Sequence, residues 1–499
     1  MLTKGHTGFR RYLKVIGQPK YLISFGFFVV LATWTVSSPV GSSPDDDYHM
    51  ASIYCSNQFS SDLCTQEGSQ YLVSNSVFMP STCYRNHPEI NGLCSESILK
   101  DESKINTIRL NQMTNQYPHS YYAIMSIFVT NDVKITTFLI RIFNSLIFSL
   151  LLFFSFTILT RRNLRALLIV LLVTSFPFGI FMMSSINPTA WLYIGGIFLV
   201  PFLKQFIDHP SKTSKGNKIA IFCSAGLMLL GRPDSGVFIL LLLFAFTVFH
   251  LLKGSTNKVY ENTAVQILIV FSILHFIVFS FSVATVTSYI DFGNRPEGST
   301  IGLWINNFLR SPELIFGTLG YSPLGWLDTF MWPEVFLVNF AIFVTFAVIQ
   351  MNKLGNEAVS TILLTLIISI LIPTFILGRN RLVVGEFLQP RYFILIPVFI
   401  LYLLLLLDDS EFSISTRFRK MMFVVYVYIY FIAFFIQVKR YAVNSESGSF
   451  VFRDWSWSFF GTPPLVLLLV SCLGFAVFLK GILFTDQIQI QSELNLRKG

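Results

Sequence analysis

Apolar stretches long enough to cross a bilayer as helices recur along this whole chain. Inside hydrocarbon a backbone must satisfy its own N–H and C=O groups, so only helices or a closed barrel span it. Runs approaching the roughly 20 residues of a helical span select the helix. About twelve such runs are legible, over 21–40, 135–160, 166–183, 191–203, 219–230, 237–252, 264–290, 335–350, 358–377, 392–407, 421–437 and 465–479. With 53% of residues hydrophobic, 13% charged and a mean hydropathy of +0.61, the 499 residues lack the polar surface of a water-soluble globule. The expected fold class is therefore all-α, a polytopic transmembrane helical protein.

Lys and Arg hold loops on the cytoplasmic side, so their distribution orients the spans. With both termini inside, 21 Lys and Arg fall in inner segments and 14 in outer ones, although the outer segments are about twice as long. Carboxylates lean the other way, 8 inside and 19 outside. The net charge of +9 thus records orientation and not affinity for nucleic acid. The expected plan is a cytoplasmic N-terminus (1–20), a first transmembrane helix (21–40), an outer loop (41–134), helices two to seven (135–290), a second outer loop (291–334), helices eight to twelve (335–479) and a cytoplasmic tail (480–499). No small-residue cleavage site follows 21–40, which reads as a retained anchor. The stretch 301–319 carries Trp304, Phe308, Leu309 and Phe316 at helical spacing and reads as an interfacial helix.

Four of the six cysteines, Cys55, Cys64, Cys83 and Cys94, lie in the first outer loop, which implies an oxidising compartment and two disulfides. Three pairings are open, and proximity along the loop favours Cys55 with Cys64 and Cys83 with Cys94. Cys223 and Cys472 fall in apolar spans and read as packing residues.

That loop opens with Ser43-Pro44-Asp45-Asp46-Asp47-Tyr48-His49, three carboxylates and an imidazole at the lipid edge. A run of like charge repels itself, which suits the handling of a cation or a proton; a solvated acidic helix cap is the plainer reading. Further patterns follow in order: Tyr117-Pro118-His119-Ser120-Tyr121-Tyr122, Arg141 with Asn144, Ser184-Ser185-Ile186-Asn187-Pro188-Thr189, Gly325-Trp326-Leu327-Asp328-Thr329 with Pro333, and Leu388-Gln389-Pro390-Arg391-Tyr392-Phe393. Together they resemble domain-of-unknown-function family 2142 of bacterial polytopic membrane proteins, which is similar to the GT-C superfamily of polyprenyl-phosphate-sugar glycosyltransferases. The family's opening pattern is Pro-Pro-Asp-Glu-Pro-x-His. Here Asp46 stands for its Glu and Asp47 for its second Pro, and Pro390 departs from the Gly of Val-Gln-Gly-Arg-Tyr-Phe. The last hundred residues carry no such pattern.

The resemblance implies transfer of a sugar from a polyprenyl phosphate to an acceptor hydroxyl, which needs a carboxylate to take the proton and cations to hold the phosphate. Asp45 and Asp46 are the expected catalytic pair, each raising the other's pKa. The same pair, with Asp47, also suits a divalent cation, and the sequence does not separate the two uses. His49, four residues after Asp45, shares its face if the turn is helical and could then orient either carboxylate; a surface histidine bonded to a loop carbonyl is the plainer reading. Arg379, Arg381, Arg391 and Tyr392 gather at one outer mouth, as phosphate ligands or as snorkelling anchors. Arg232 and Asp234 flank a tight turn and can pair with each other or meet substrate. Arg141, inside a span, must find a partner such as Asp132 or face substrate. Asn187 and Asp328 are substrate-side by resemblance. Tyr121, Tyr122, Trp304, Trp326, Trp332, Trp455 and Trp457 read mostly as an interfacial belt.

Neither a Walker A pattern nor a zinc-ligand cluster is present in the sequence. The expected function is glycosyl transfer on the periplasmic side of a bacterial inner membrane, from a polyprenyl-phosphate-linked sugar to a cell-envelope glycan or glycolipid. A transporter or flippase of lipid-linked sugars is a rival, though few polar residues (Arg141, Asn144, Gln266, His275) lie in the spans. A non-catalytic partner in envelope polysaccharide assembly is another.

Overall fold

In the computed structural model the chain is a helical bundle closed at one end by a small cap. Residues 18–56, 62–254, 259, 262–287, 299–385, 388–407, 415–444, 446 and 455–496 are described. The expected cytoplasmic N-terminus lies almost wholly outside them. Helix α1 (Pro19–Thr35) leads through an irregular turn into α2 (Asp46–Ser56). The cap continues with the antiparallel strands β1 (Cys64–Glu67), β2 (Gln70–Ser74) and β3 (Lys104–Asn106), in that spatial order, and with the short α3 (His119–Met125). The bundle follows: α4 (Val133–Ile158), α5 (Arg161–Thr174), α6 (Phe178–Met183), α7 (Thr189–Asp208), α8 (Lys215–Gly231), α9 (Ser235–Leu252), α10 (Thr263–Thr287), α11 (Thr300–Phe316), α12 (Pro333–Met351), α13 (Asn356–Asn380), α14 (Leu395–Leu406), α15 (Thr416–Ala442) and α16 (Pro464–Leu496).

Every expected span overlaps a helix, but residues 36–40 of the first lie in the turn after α1 and 288–290 of the seventh lie outside the described residues. Among the described residues seven helices are long and apolar enough to cross a membrane: α4, α7, α9, α12, α13, α15 and the Pro464–Leu483 part of α16. Three shorter apolar helices, Pro19–Thr35, Thr263–Val278 and Pro390–Leu406, accompany them. The run at 166–183 is not one span. It breaks into α5 and α6 around Pro177, which has no N–H to continue a helix. The run at 219–230 lies in the 17-residue α8, whose polar start is N-capped by Ser214 and which stops at Arg232-Pro233.

Helix α7 is central and buried along its candidate span, packed by α5, α8 and α14. The first and last long helices, α1 and α16, lie along one another. Their backbones meet at glycines: a Cβ on Gly26 would stand 2.8 Å from the Gly474 carbonyl oxygen, and one on Gly474 would stand 2.7 Å from Val29. Thr33 donates to Ser471 Oγ across this seam at 2.7 Å. Helix α11, N-capped by Ser299, covers the stretch read as an interfacial helix, and Ile301, Ile305, Phe308 and Leu309 are exposed along one side. Its other side packs on α13, where Trp304 fills the space beside Gly378.

In the cap, disulfides join Cys55 to Cys64 and Cys83 to Cys94, the pairing favoured by loop proximity. Tyr121 and Tyr122 depart from the belt expectation. Both are fully buried between the cap and the bundle, because their hydroxyls have partners there: Tyr121 donates to the Ile186 carbonyl, and Tyr122 pairs with His49.

Candidate functional site

The turn between α1 and α2 is irregular and buried, so its backbone carbonyls need donors from elsewhere. Arg141 supplies three of them. From α4 its Nη1 donates to the carbonyls of Thr35 (3.0 Å) and Ser38 (2.9 Å), and its Nη2 to the Pro39 carbonyl (2.9 Å) and Ser42 Oγ (3.0 Å). Tyr84 donates to the Val40 carbonyl at 2.6 Å, Trp326 Nε1 to Gly41 at 2.7 Å, and Asn187 Nδ2 to Pro44 at 2.9 Å. Four segments distant in sequence therefore set the path that delivers Asp45.

Asp45 itself takes a left-handed φ of +60°, uncommon for a residue with a Cβ though best tolerated by Asp and Asn. Its carbonyl accepts the His49 N–H at 2.9 Å, the first turn of α2. The three carboxylates then diverge. Asp45, its side chain 30% exposed, accepts from Arg391 Nη2 at 2.7 Å and Arg109 Nη2 at 3.0 Å. Asp46 points inward, fully buried, and accepts from the Ser43 N–H at 3.0 Å and the Ser43 hydroxyl, with Arg141 Nη2 3.9 Å away. Asp47 pairs with Arg85 and Arg109, both at 3.1 Å.

These surroundings split the expected catalytic pair. Burial would raise the Asp45 carboxyl, but the Arg391 guanidinium, helped by Arg109, outweighs it and brings the pKa down to about 2. Burial dominates at Asp46 and lifts it to about 6, against the pull of Arg141 and the Ser43 hydrogen bonds. Asp45 is the carboxylate a substrate can reach, whereas Asp46 braces the turn. Asp45 and Asp47 share Arg109 while Asp46 turns away from both, and no group of three potential metal ligands occurs among the described residues.

His49 lies in the first turn of α2 with its N–H bonded to the Asp45 carbonyl, but Asp45 itself stands before the helix at a left-handed φ, so the shared helical face does not form. His49 is fully buried, its Nδ1 lies 2.9 Å from the Tyr122 hydroxyl and its Nε2 has no hydrogen-bond partner. Burial holds its pKa down at about 3, so the ring is neutral at pH 7. Arg391, at the start of the 3₁₀ turn Pro390–Phe393 before α14, is buried as well. Its Nη2 serves both Asp45 and the Tyr392 hydroxyl (3.0 Å), while Nε and Nη1 have no partner. Of the three arginines expected at this mouth only Arg391 is buried: Arg379 is exposed at the end of α13, and Arg381 is half-buried in a left-handed cap.

Arg232 grips Asp234 through two 2.9 Å bonds, the pair the turn suggested, and donates to Thr189 Oγ1 at 3.0 Å. It also does what the sequence did not show: its guanidinium lies 4.8 Å from the Tyr392 ring centre, with Arg391 5.0 Å from the same ring. Tyr117 lies 5.8 Å from Arg232 and its ring edge meets His49. Asp45, His49, Arg232, Arg391 and Tyr392 thus form one polar cluster at the capped end of the bundle.

Three residues expected to meet substrate instead hold the scaffold. Arg141 caps α1 and the turn, and its supposed partner Asp132 N-caps α4 through the N–H groups of Lys134 and Ile135. Asn187 fixes Pro44. Asp328 accepts from Arg440 Nη2 at 2.9 Å, and Arg440 also donates to the carbonyls of Tyr84, His87 and Ile90. Arg85, Arg109, Tyr117 and Arg440 were missed by sequence reasoning. Arg109 carried one faint signal, a cation in an outer loop poor in them.

A family model described as a predicted membrane protein (DUF2142) matches residues 27–401. No curated protein and no solved structure matches the chain.

Proposed function

This chain belongs to the DUF2142 family of predicted membrane proteins, and we propose that it transfers a sugar from a polyprenyl-phosphate donor to an envelope glycan or glycolipid, on the periplasmic side of a bacterial inner membrane. The observation that carries this reading is the part-buried ion pair between Asp45 and Arg391, where a helix of the bundle begins. Arg391 keeps two unpartnered donors there, suited to a phosphate oxygen that would meet no water to hydrogen-bond it. Arg232 and Arg109 add positive charge on either side. Asp45 supplies a partly exposed carboxylate within the same cluster, as the base for an acceptor hydroxyl. His49 is neutral and offers an unpartnered Nε2 that can position a hydroxyl. In this reading Arg391 and Arg232 hold the departing phosphate, and the exposed face of α11 rests among lipid at the same level.

The test is the composition of the envelope glycans in a deletion strain complemented with wild type or Asp45→Asn. Asparagine tolerates the left-handed backbone, so the variant should fold normally. Loss of a base should cut transfer about 100-fold or more, so the same sugar should vanish from the glycan in the deletion and in Asp45→Asn, and its lipid-linked donor should accumulate. A wild-type glycan in cells making Asp45→Asn would overturn the assignment.

A further inference from the structure

Arg391 is placed so that its two partnerships compete. A guanidinium offers five N–H donors in a plane, and its two forked edges each combine Nη2 with either Nε or Nη1. In this structure Nη2 spends its two hydrogens on Asp45 Oδ2 (2.7 Å) and the Tyr392 hydroxyl (3.0 Å), whereas Nε and Nη1 are buried without partners. Each edge is therefore half used. An oxyanion that binds Arg391 in bidentate fashion must take one edge completely, and on either edge it needs an Nη2 hydrogen already given away.

We infer that Arg391 is an exchange point: an oxyanion, the phosphate ester of a lipid, takes the guanidinium from Asp45, so that Asp45 becomes a free carboxylate only in the occupied site. The inference rests on the reading of the site as one for a phosphate ester. Asp45 is the acceptor that yields, because it carries the like charge and the tyrosine hydroxyl does not. Leaving Arg391 does not strand it. Its Oδ1 already accepts from Arg109 at 3.0 Å, on a half-exposed side chain that also holds Asp47. Its backbone stays put, since Asn187 fixes the Pro44 carbonyl and the Asp45 carbonyl is bonded into α2. The movement is a side-chain rotation.

The consequence is ordered chemistry. Paired with Arg391, Asp45 is too acidic to take a proton at neutral pH; beside a bound anion and without that guanidinium its carboxyl rises, which makes it a better base. The charged and titratable groups near it are Arg391, Arg109, Asp46, Asp47, the neutral His49, Tyr117 and Tyr122, with Arg232 next to His49 and Tyr117.

The experiment uses the full chain in lipid nanodiscs with citronellyl phosphate as the lipid probe and inorganic phosphate as the headgroup alone. Calorimetry measures binding, and carbodiimide labelling of Asp45 at pH 6, read by peptide mass spectrometry, reports its protonated fraction. Saturating citronellyl phosphate should raise labelling about 10-fold or more, since loss of an adjacent opposite charge moves a carboxyl pKa by about 1–3 units. A rise with inorganic phosphate too would assign the exchange to the phosphate group; a rise with the lipid alone would assign it to the anchored ester. Arg391→Gln should be labelled strongly without probe and show no further rise. Binding of citronellyl phosphate to wild type with unchanged labelling would overturn the exchange and leave the phosphate reading intact. No binding to wild type would overturn both, and neither outcome depends on the variant folding.

Discussion

Replacing Arg141 by methionine separates a scaffold from a substrate ligand. Methionine keeps much of the length and apolar stem but none of the donors. It would leave the carbonyls of Thr35, Ser38 and Pro39 without the hydrogen bonds they now receive and remove the guanidinium that stands 3.9 Å from Asp46. An unsatisfied buried acceptor costs about 1–3 kcal/mol, so three at the middle of that range, tempered by relaxation of the turn, come to about 5 kcal/mol. At roughly 2.1 cal/mol/K per residue, the entropy of melting over 499 residues is about 1 kcal/mol/K, and the melting temperature should fall by about 5 °C. Thermal unfolding of purified protein in detergent measures this, with Arg391→Met as the control. That control loses bonds only to Asp45 and Tyr392, and Asp45 keeps Arg109, so it should melt within about 2 °C of wild type. If Arg141→Met melts like wild type yet no longer binds a lipid phosphate, Arg141 touches substrate and the scaffold argument is wrong.

Arg391→Lys keeps the charge but loses the fork, so affinity for citronellyl phosphate should drop at least about 10-fold with little change in melting; unchanged affinity would make Arg391 a snorkelling anchor. Non-reduced protein should show no free thiol among Cys55, Cys64, Cys83 and Cys94 by mass mapping, and four free thiols would refute both bridges. The folded pKa of Asp46 is raised from 3.8 to about 6, so its contribution to stability is full below pH 4 and is lost as pH rises through 6, about 3 kcal/mol at most. The pH dependence of melting between pH 4 and 6.5 should therefore flatten in Asp46→Asn, and an identical profile would count against a buried, perturbed carboxyl.

The helical architecture was legible because hydropathy over long windows reports what lipid demands of a backbone. The same averaging hid the break at Pro177, whose signal is a single residue within a hydrophobic run. At the site, what could be read was local: the i, i+4 relation of Asp45 to His49, the Arg232 to Asp234 pair, and the disulfides across 9 and 11 residues. Partnerships made across the fold were not legible. Arg109 and Arg440 lie 64 and 112 residues from the carboxylates they bind, and nothing in a single sequence ties such cations to one acid rather than another. The patterns at Arg141, Asn187 and Trp326 marked positions that matter without saying why. Their side chains satisfy backbone carbonyls of one turn, a role that residue type alone does not distinguish from binding a ligand. Asp45 and Asp46, adjacent and alike in sequence, differ because one left-handed residue sends their side chains to different dielectric surroundings.

The glycine seam between α1 and α16 has a consequence for how the protein is made. The helix that carries the Asp45 turn is synthesised long before the partner it approaches most closely, backbone to backbone, because most of the bundle lies between them in the chain. Until α16 is inserted, α1 must wait in the bilayer with one flank facing lipid. The residues that complete this seam, and Arg440, which anchors the cap, lie beyond the 27–401 stretch that defines the family. A nascent chain that has not yet reached α16 would thus carry every family motif and still lack the support that assembles them.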